Sequence, residues 1–220
     1  GSEHTCYRNA TGQLHCSGNN EQFALGVEAS RANQQCDLLA SNTKCSYAFL
    51  DVPGQTTTVS IAAGANHTGV TRQPSSVACT GSNELGQLGT GGATGVGSVA
   101  QSFTGSFVPA GFGDTIQLVA GARHTCALQR DGALWCWGAN GEGELGTPGV
   151  GALSAVPVRV LDAAGQPLRD VVSVAAGRSH TCVLLASKKV LCFGRNDKAQ
   201  LGARPESLSS SAVPIEVKVP

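Results

Sequence analysis

Four stretches of this chain align without a gap over 23 residues when their histidines are stacked: HTCYRNATGQLHCSGNNEQFALG from His4, HTGVTRQPSSVACTGSNELGQLG from His67, HTCALQRDGALWCWGANGEGELG from His124 and HTCVLLASKKVLCFGRNDKAQLG from His180. The starts lie 63, 57 and 56 residues apart. His-Thr opens each unit. Glycine returns at Gly18, Gly81, Gly138 and Gly194, asparagine at Asn20, Asn83, Asn140 and Asn196, and Leu-Gly closes each unit at Leu25-Gly26, Leu88-Gly89, Leu145-Gly146 and Leu201-Gly202. Units two to four follow an apolar run ending in Ala-Gly: VSIAAG at 59–64, IQLVAG at 116–121 and VSVAAG at 172–177. A repeat of this kind restricts the chain to an array of equivalent modules.

Within each module, short β-branched and aromatic runs alternate with glycine clusters every 8 to 12 residues. These read as strands, and no window sustains a helical period with caps at both ends. The class is all-β. A unit of this length, made of several short strands, exceeds a solenoid coil and has the size of a propeller blade, which buries both faces against neighbours. That accounts for apolar residues on both sides of a strand such as Leu134-Trp135-Cys136-Trp137. Hairpin cores fall at 4–26, 67–89, 124–146 and 180–202, with variable connections at 27–58, 90–115, 147–170 and 203–220.

The AAG-x-x-HTC start, the D-G-x-L-W-C-W-G middle and the N-x-x-G-x-L-G end, best kept in unit three, resemble the regulator-of-chromosome-condensation repeat. The resemblance covers nearly the whole chain and implies a β-propeller with four-stranded blades. Members of that family usually carry seven blades, which at this period needs on the order of 370 residues. Here the 220 residues supply four units. Gly1-Ser2-Glu3-His4 aligns with Gly64-Ala65-Asn66-His67, so unit one starts inside the Ala-Gly motif. At the other end, Ser211-Ala212-Val213-Pro214-Ile215 aligns with Ser154-Ala155-Val156-Pro157-Val158 before the chain stops. The expectation is an incomplete ring: a piece of a longer array, or a protomer completed by another chain, because open ends expose blade faces and strand edges.

Cys6 and Cys16, Cys126 and Cys136, and Cys182 and Cys192 are each ten residues apart at matching repeat positions. Opposed residues of an antiparallel hairpin share a constant index sum, which for Cys126 and Cys136 centres the turn on Asp131. A three-residue loop of Arg130, Asp131 and Gly132 then fits, with Gly132 left-handed. Opposed positions are within disulfide range, so three hairpin bridges are expected. Each closes only about eleven residues, for a stabilisation of roughly 3 kcal/mol at most. Unit two puts Gly69 opposite Cys79, which leaves Cys79 as a free thiol, read as inert in the core. Cys36 and Cys45 lie in the longest connection and are assigned a fourth bridge.

Metal binding is the rival reading of His-Thr-Cys. It is disfavoured because zinc sites bring cysteines together as C-x-x-C knuckles, which are missing, and because unit two keeps His67 while losing a sulfur. The preferred reading is that His4, His67, His124 and His180 tie strands together by hydrogen bonds inside each blade. Paired cysteines imply an oxidising compartment: secreted, periplasmic or cell surface.

Nucleophilic catalysis needs a serine or cysteine, a histidine and a carboxylate standing outside the repeat. The one non-repeat histidine, His15, occupies an ordinary strand position, and Glu84, Glu142, Glu144 and Asp197 sit in the glycine-rich loops. No catalytic site, cofactor or metal site is assigned. Asn9-Ala10-Thr11 and Asn66-His67-Thr68 match the glycosylation sequon, the second against the buried motif.

Fifteen basic against fifteen acidic residues leave no electrostatic drive toward phosphate backbones or anionic lipid. No stretch approaches the roughly 20 apolar residues of a membrane helix. There is no methionine, so Gly1 is not an unprocessed translation start. The resemblance offers nucleotide exchange and chromatin binding, both intracellular and disfavoured by the cysteines and the zero net charge. It also offers ultraviolet sensing, which needs a tryptophan cluster where only Trp135 and Trp137 occur, and inhibition of β-lactamases by a secreted member. The reading adopted is a non-enzymatic extracellular or periplasmic scaffold that presents variable loops to a protein partner of unspecified identity. The alternative is a structural or adhesive segment of a larger cell-surface protein, with the inhibitor and exchange-factor roles behind it. No nucleic acid and no membrane insertion are expected; self-association or completion by further repeats is.

Overall fold

The structure is a computed structural model. It describes residues 1–28, 31, 32, 34, 35, 44–73, 76–92, 104, 105 and 114–218. The described residues form four antiparallel sheets of four strands each. Blade one holds β1 (His4–Arg8), β2 (Leu14–Asn19), β3 (Gln34–Gln35) and β4 (Lys44–Asp51), in the order β1-β2-β4-β3. The other three are simple meanders. Blade two is β5 (Thr58–Ala63), β6 (His67–Arg72), β7 (Ser76–Gly81) and β8 (Thr104–Gly105); blade three is β9 (Thr115–Ala120), β10 (His124–Gln129), β11 (Leu134–Ala139) and β12 (Leu153–Arg159). Blade four is β13 (Val171–Ala176), β14 (His180–Leu185), β15 (Val190–Arg195) and β16 (Ser210–Glu216).

The apolar runs before the histidines are β5, β9 and β13, which contact one another in chain order around an axis. Blade one has no such strand and β1 is an edge; β3, on the opposite side, brings that sheet to four. The ring is not closed.

No blade has a core of its own. The buried apolar residues form three clusters, each lying between two successive blades. Leu14, Cys16, Leu25 and Val52 of blade one pack on Val70 and Ala78 of blade two. Val77, Cys79 and Leu88 of blade two pack on Leu118, Ala127 and Trp137 of blade three. Cys126, Leu128, Leu134, Cys136 and Leu145 of blade three pack on Val174, Val183 and Phe193 of blade four. Side chains alternate across a strand, so a strand in the middle of such a stack needs apolar residues in both phases. The sequence of β11, LWCWGA, has this character.

The repeated glycine has a local cause. Gly18, Gly81, Gly138 and Gly194 sit at φ between 102° and 108°. The register to the outer strand slips at Gly18, Gly138 and Gly194, and a Cβ at any of the four would overlap the backbone of the facing histidine strand. Only glycine accepts that conformation and that approach.

The segments read from sequence as variable connections are only partly loops. Three of them contain the strand that pairs with the hairpin: β4 in 27–58, with β3 outside it, and β12 in 147–170 and β16 in 203–220 as the outermost strands of their sheets; most of 90–115 lies outside the described residues. Pro157 in β12 and Pro214 in β16 are compatible with that role, because an edge strand has one side that needs no N–H donor.

Candidate functional site

The fixed part of each unit is a three-member hydrogen-bond relay that crosses from one blade to the next. His4 Nε2 lies 2.8 Å from Thr68 Oγ1, His67 Nε2 3.0 Å from Thr125 Oγ1, and His124 Nε2 2.9 Å from Thr181 Oγ1. Each threonine hydroxyl then donates back to a carbonyl in the glycine-rich loop of the preceding blade: Thr68 to Ala24 at 2.6 Å, Thr125 to Gln87 at 3.0 Å and Thr181 to Glu144 at 3.1 Å. A hydroxyl has a single proton, and the carbonyl takes it, so the histidine Nε2–H is the donor to threonine. This places a proton on Nε2.

The other face of the ring explains the Ala-Gly that precedes each histidine. A Cβ on Gly1, Gly64, Gly121 or Gly177 would overlap the imidazole three residues later. Nδ1 of His67 and of His124 is buried with no hydrogen-bond partner. Burial therefore works against the imidazolium form. It pushes His4 down to about 4, with the terminal amine adding to the effect, and His124 to about 4, with His180 adding. His67 falls to about 3, through burial first and then the charges of His124, His4 and the terminal amine. His180 is lowered by burial as well. The sequence reading put these bonds inside each blade; the structure puts them between blades. Along β1 and its equivalents histidine and threonine are adjacent and point to opposite faces, so they reach different neighbours.

The asparagines hold the loop that supplies the carbonyl. Oδ1 accepts the backbone N–H five residues on, from Leu25, Leu88, Leu145 or Leu201, and Nδ2 donates to carbonyls further along, such as Val27, Gly92, Val150 and Ala203. Relay and clamp together aim one carbonyl of each of the first three blades at the next blade's threonine.

Three hairpins are closed by disulfides, Cys6–Cys16, Cys126–Cys136 and Cys182–Cys192, each with Cα atoms 4.1 Å apart. The register opposes each pair directly. The loop of Arg130, Asp131 and Gly132 lies between Gln129 and Ala133, whose backbones bond at 2.8 Å, with Gly132 at φ 79°. Cys45 is disulfide-bonded, and Cys36 lies outside the described residues. Cys79 is a fully buried thiol opposite Gly69.

The loops between β5, β9 or β13 and the following histidine surround a cavity of about 860 Å³ on the axis. Its lining includes Ser2, Ala65, Asn66, Ala122, Arg123, Arg178, Ser179 and Arg195. Arg195 pairs with Asp197 at 2.7 Å; Arg123 and Arg178 are exposed and form no ion pair among the described residues. Here the repeated frame carries unrepeated chemistry: Ser2, Ala65, Ala122 and Arg178 occupy one equivalent position, and Asn66, Arg123 and Ser179 the next.

His15 stacks on Tyr7 with ring centroids 4.8 Å apart, and its Nδ1 is 2.8 Å from Asp51 Oδ1. Asn9 Oδ1 accepts from Thr11 and Gln13 within its own turn, and the Thr68 hydroxyl of the second sequon is used in the relay. Among the described residues there is no group of three or more histidine, cysteine or acidic residues arranged to hold a metal, and no helix long and apolar enough to cross a membrane. Sequence reasoning missed the roles of Thr68, Thr125 and Thr181, although their invariance beside the histidine was the available signal.

The family model for the "Regulator of chromosome condensation (RCC1) repeat" matches residues 131–184, and a second model of that repeat matches 116–144 and 171–200. The mouse regulator of chromosome condensation is 31% identical over 157 residues, covering 70% of this chain and 34% of that protein. Among solved structures, yeast RCC1 (Prp20) bound to Kap60 aligns with TM-score 0.80 and 20% identity over 100% of this chain and 47% of its own. Human WBSCR16 aligns with TM-score 0.77 and 21% identity over 97% of this chain and 49% of its own. The chain thus spans about a third of the mouse protein and about half of each solved chain. With the His-Thr relay built three times and the Gly and Asn positions given the same structural task in all four units, this chain carries repeats of the regulator-of-chromosome-condensation (RCC1) type.

Proposed function

We propose that this chain is a non-catalytic, extracellular or periplasmic protein-binding scaffold. The observation that carries the reading is the contrast at the axial rim. Four units keep the same His-Thr pair, glycine and asparagine clamp, yet at one equivalent position they present Ser2, Ala65, Ala122 and Arg178 around a single cavity. A rigid frame with varied rim residues is the arrangement by which a fold offers a specific surface without changing its core. The yeast relative solved with Kap60 is a propeller of this kind bound to another protein. Exposed Arg123 and Arg178 suit an acidic protein surface, since guanidinium groups match carboxylates in a bidentate fork.

Three hairpin disulfides support the extracellular or periplasmic reading, because such bonds persist outside the reducing cytosol. The test has two parts. Thiol mapping of protein recovered from its native host should find these six cysteines oxidised in the extracellular or periplasmic fraction; reduced protein in the cytosolic fraction would overturn the location. Cross-linking in that fraction should give a discrete adduct that Arg123→Glu with Arg178→Glu removes. An adduct pattern unchanged by the two substitutions would overturn the rim as the binding surface.

A further inference from the structure

At the axial rim each unit sets two residues against one another beside the clamp asparagine. The residue before the histidine offers its carbonyl to the backbone N–H of the residue before the asparagine: Glu3 to Asn19, Asn66 to Ser82, Arg123 to Ala139 and Ser179 to Arg195, each at 2.8 Å. Arginine occurs in two of these pairs, on opposite strands: Arg123 in blade three and Arg195 in blade four. The position after the asparagine carries the counter-charge. It is acidic in units one, two and four, as Glu21, Glu84 and Asp197, and is Gly141 in unit three.

Blade four shows what an acid at this position does, since Asp197 pairs with Arg195 at 2.7 Å. Blade three has the arginine without the acid. Arg123 is exposed and forms no ion pair among the described residues. The same holds for Arg178, whose carbonyl accepts the Ala122 N–H at 3.0 Å and so ties its loop to blade three. Arg123, Arg178 and Gly141 line the same cavity. Two nearby acids leave the gap unfilled. Glu144 also lines the cavity, but it is buried, its Oε2 accepts the Glu142 N–H at 2.9 Å, and it makes no ion pair among the described residues. Glu142 lies outside the lining. Blade three is packed against blade two on one side and blade four on the other, so the gap is bounded inside the array.

We infer that Gly141 marks a carboxylate socket: an aspartate or glutamate side chain of the protein partner lies over Gly141 and binds the guanidinium groups of Arg123 and Arg178, as Asp197 binds Arg195 within the chain. The occupant follows from charge complementarity and from the repeat, which places a carboxylate at this position in the other three units. Guanidinium groups take carboxylates in a bidentate fork. There is room for the side chain, because a Cβ on Gly141 meets nothing within 4 Å. Gly141 is also not one of the positive-φ glycines, so a side chain at this position is free of backbone strain. The inference rests on the rim reading proposed above and narrows it to one contact.

An NMR titration tests it, with the isotope-labelled 220-residue chain, its disulfides intact, and hexaglutamate as the probe. Hexaglutamate should move the Gly141 amide signal and the Nε–H signals of Arg123 and Arg178, and hexaglutamine should not. Gly141→Asp supplies the acid from within the chain, and Gly141→Asn fills the same space without charge. The aspartate variant should bind hexaglutamate about fivefold or more weaker than the asparagine variant, because the resident carboxylate occupies the arginines and repels the probe. Equal binding by these two variants, or inorganic phosphate binding as tightly as hexaglutamate, would overturn the socket. If the two variants bind equally while Arg123→Glu with Arg178→Glu abolishes binding, the rim stands as the binding surface and only the socket is wrong. If the charge reversal also leaves binding unchanged, the arginine rim falls with it.

Discussion

Blade two and blade three share one hairpin register and differ at the position that decides whether the hairpin is bridged. Blade three opposes Cys126 to Cys136 and joins them; blade two opposes Gly69 to Cys79 and leaves the hairpin open. The relay is nevertheless intact on both sides of blade two, from His4 to Thr68 and from His67 to Thr125. The space the missing sulfur would fill is taken by Leu118 of the next blade: a Cβ on Gly69 would lie 2.8 Å from Leu118 Cδ2 and 3.3 Å from Cys79 Sγ. Against the bridged hairpin of blade three the equivalent residue is the shorter Val174. Staple and relay are therefore separable. The sulfurs tighten one hairpin, while the histidine and threonine hold one blade to the next, and the second task is the one no unit gives up.

Acid should break the comparison most broadly, because it acts on every relay at once. His4, His67 and His124 have folded-state values of about 4, 3 and 4, against about 6.5 in the unfolded chain. Below about pH 6.5 the unfolded state binds more protons than the folded one, so stability falls as pH falls through that window and levels off below about 3. The urea midpoint should be flat from pH 8 to about 7 and decline steadily toward pH 4. A midpoint independent of pH between 7 and 4 would mean that the imidazoles are not buried neutral.

Trp137, fully buried and donating from Nε1 to the Gln87 carbonyl at 2.9 Å, marks the next largest difference, because blade two has Thr80 at that position. Trp137→Thr should cost about 3 to 5 kcal/mol in urea unfolding, from cavity and lost packing together. Removing the staple of blade three with Cys126→Ala and Cys136→Ala should cost less, roughly 2 to 3 kcal/mol, because the hairpin is local and already paired. Installing the staple in blade two should matter least. Gly69→Cys with Leu118→Val should form a bridge to Cys79, seen as loss of the alkylatable thiol there, with a stability gain of about 1 kcal/mol or less. If the introduced thiol and Cys79 both remain alkylatable in that variant, the two hairpins do not share a register.

How much of this could be read beforehand follows from what a repeat encodes. Equivalence was legible: the four hairpins, the opposed cysteines and the turn at Gly132 all follow from local spacing, because a hairpin pairs residues close in sequence. Direction was not. The ring of His67 and the hydroxyl of Thr125 are 58 residues apart, and no local pattern says that a histidine serves the following blade and not its own. The outer strands β12 and β16 were hidden for another reason. Ser154-Ala155-Val156-Pro157-Val158 and its counterpart at Ser211 were visibly aligned, but a proline inside a short polar-edged run reads as connection unless the strand is known to be an edge. The axial rim was the least legible, because Arg123 and Arg178 come together only once the blades are stacked around an axis.

The claim on which the rest stands is that blades cohere through the relay that crosses between them. A double-mutant cycle on His67 and Thr125 tests it most directly, with His67→Phe, Thr125→Val and the pair compared by urea unfolding at pH 7.5. The account predicts a coupling energy of about 1 kcal/mol or more, since Thr125→Val leaves the His67 Nε2–H buried and unbonded and His67→Phe leaves the Thr125 oxygen without its donor, while the pair removes both. Additivity to within about 0.3 kcal/mol would contradict it.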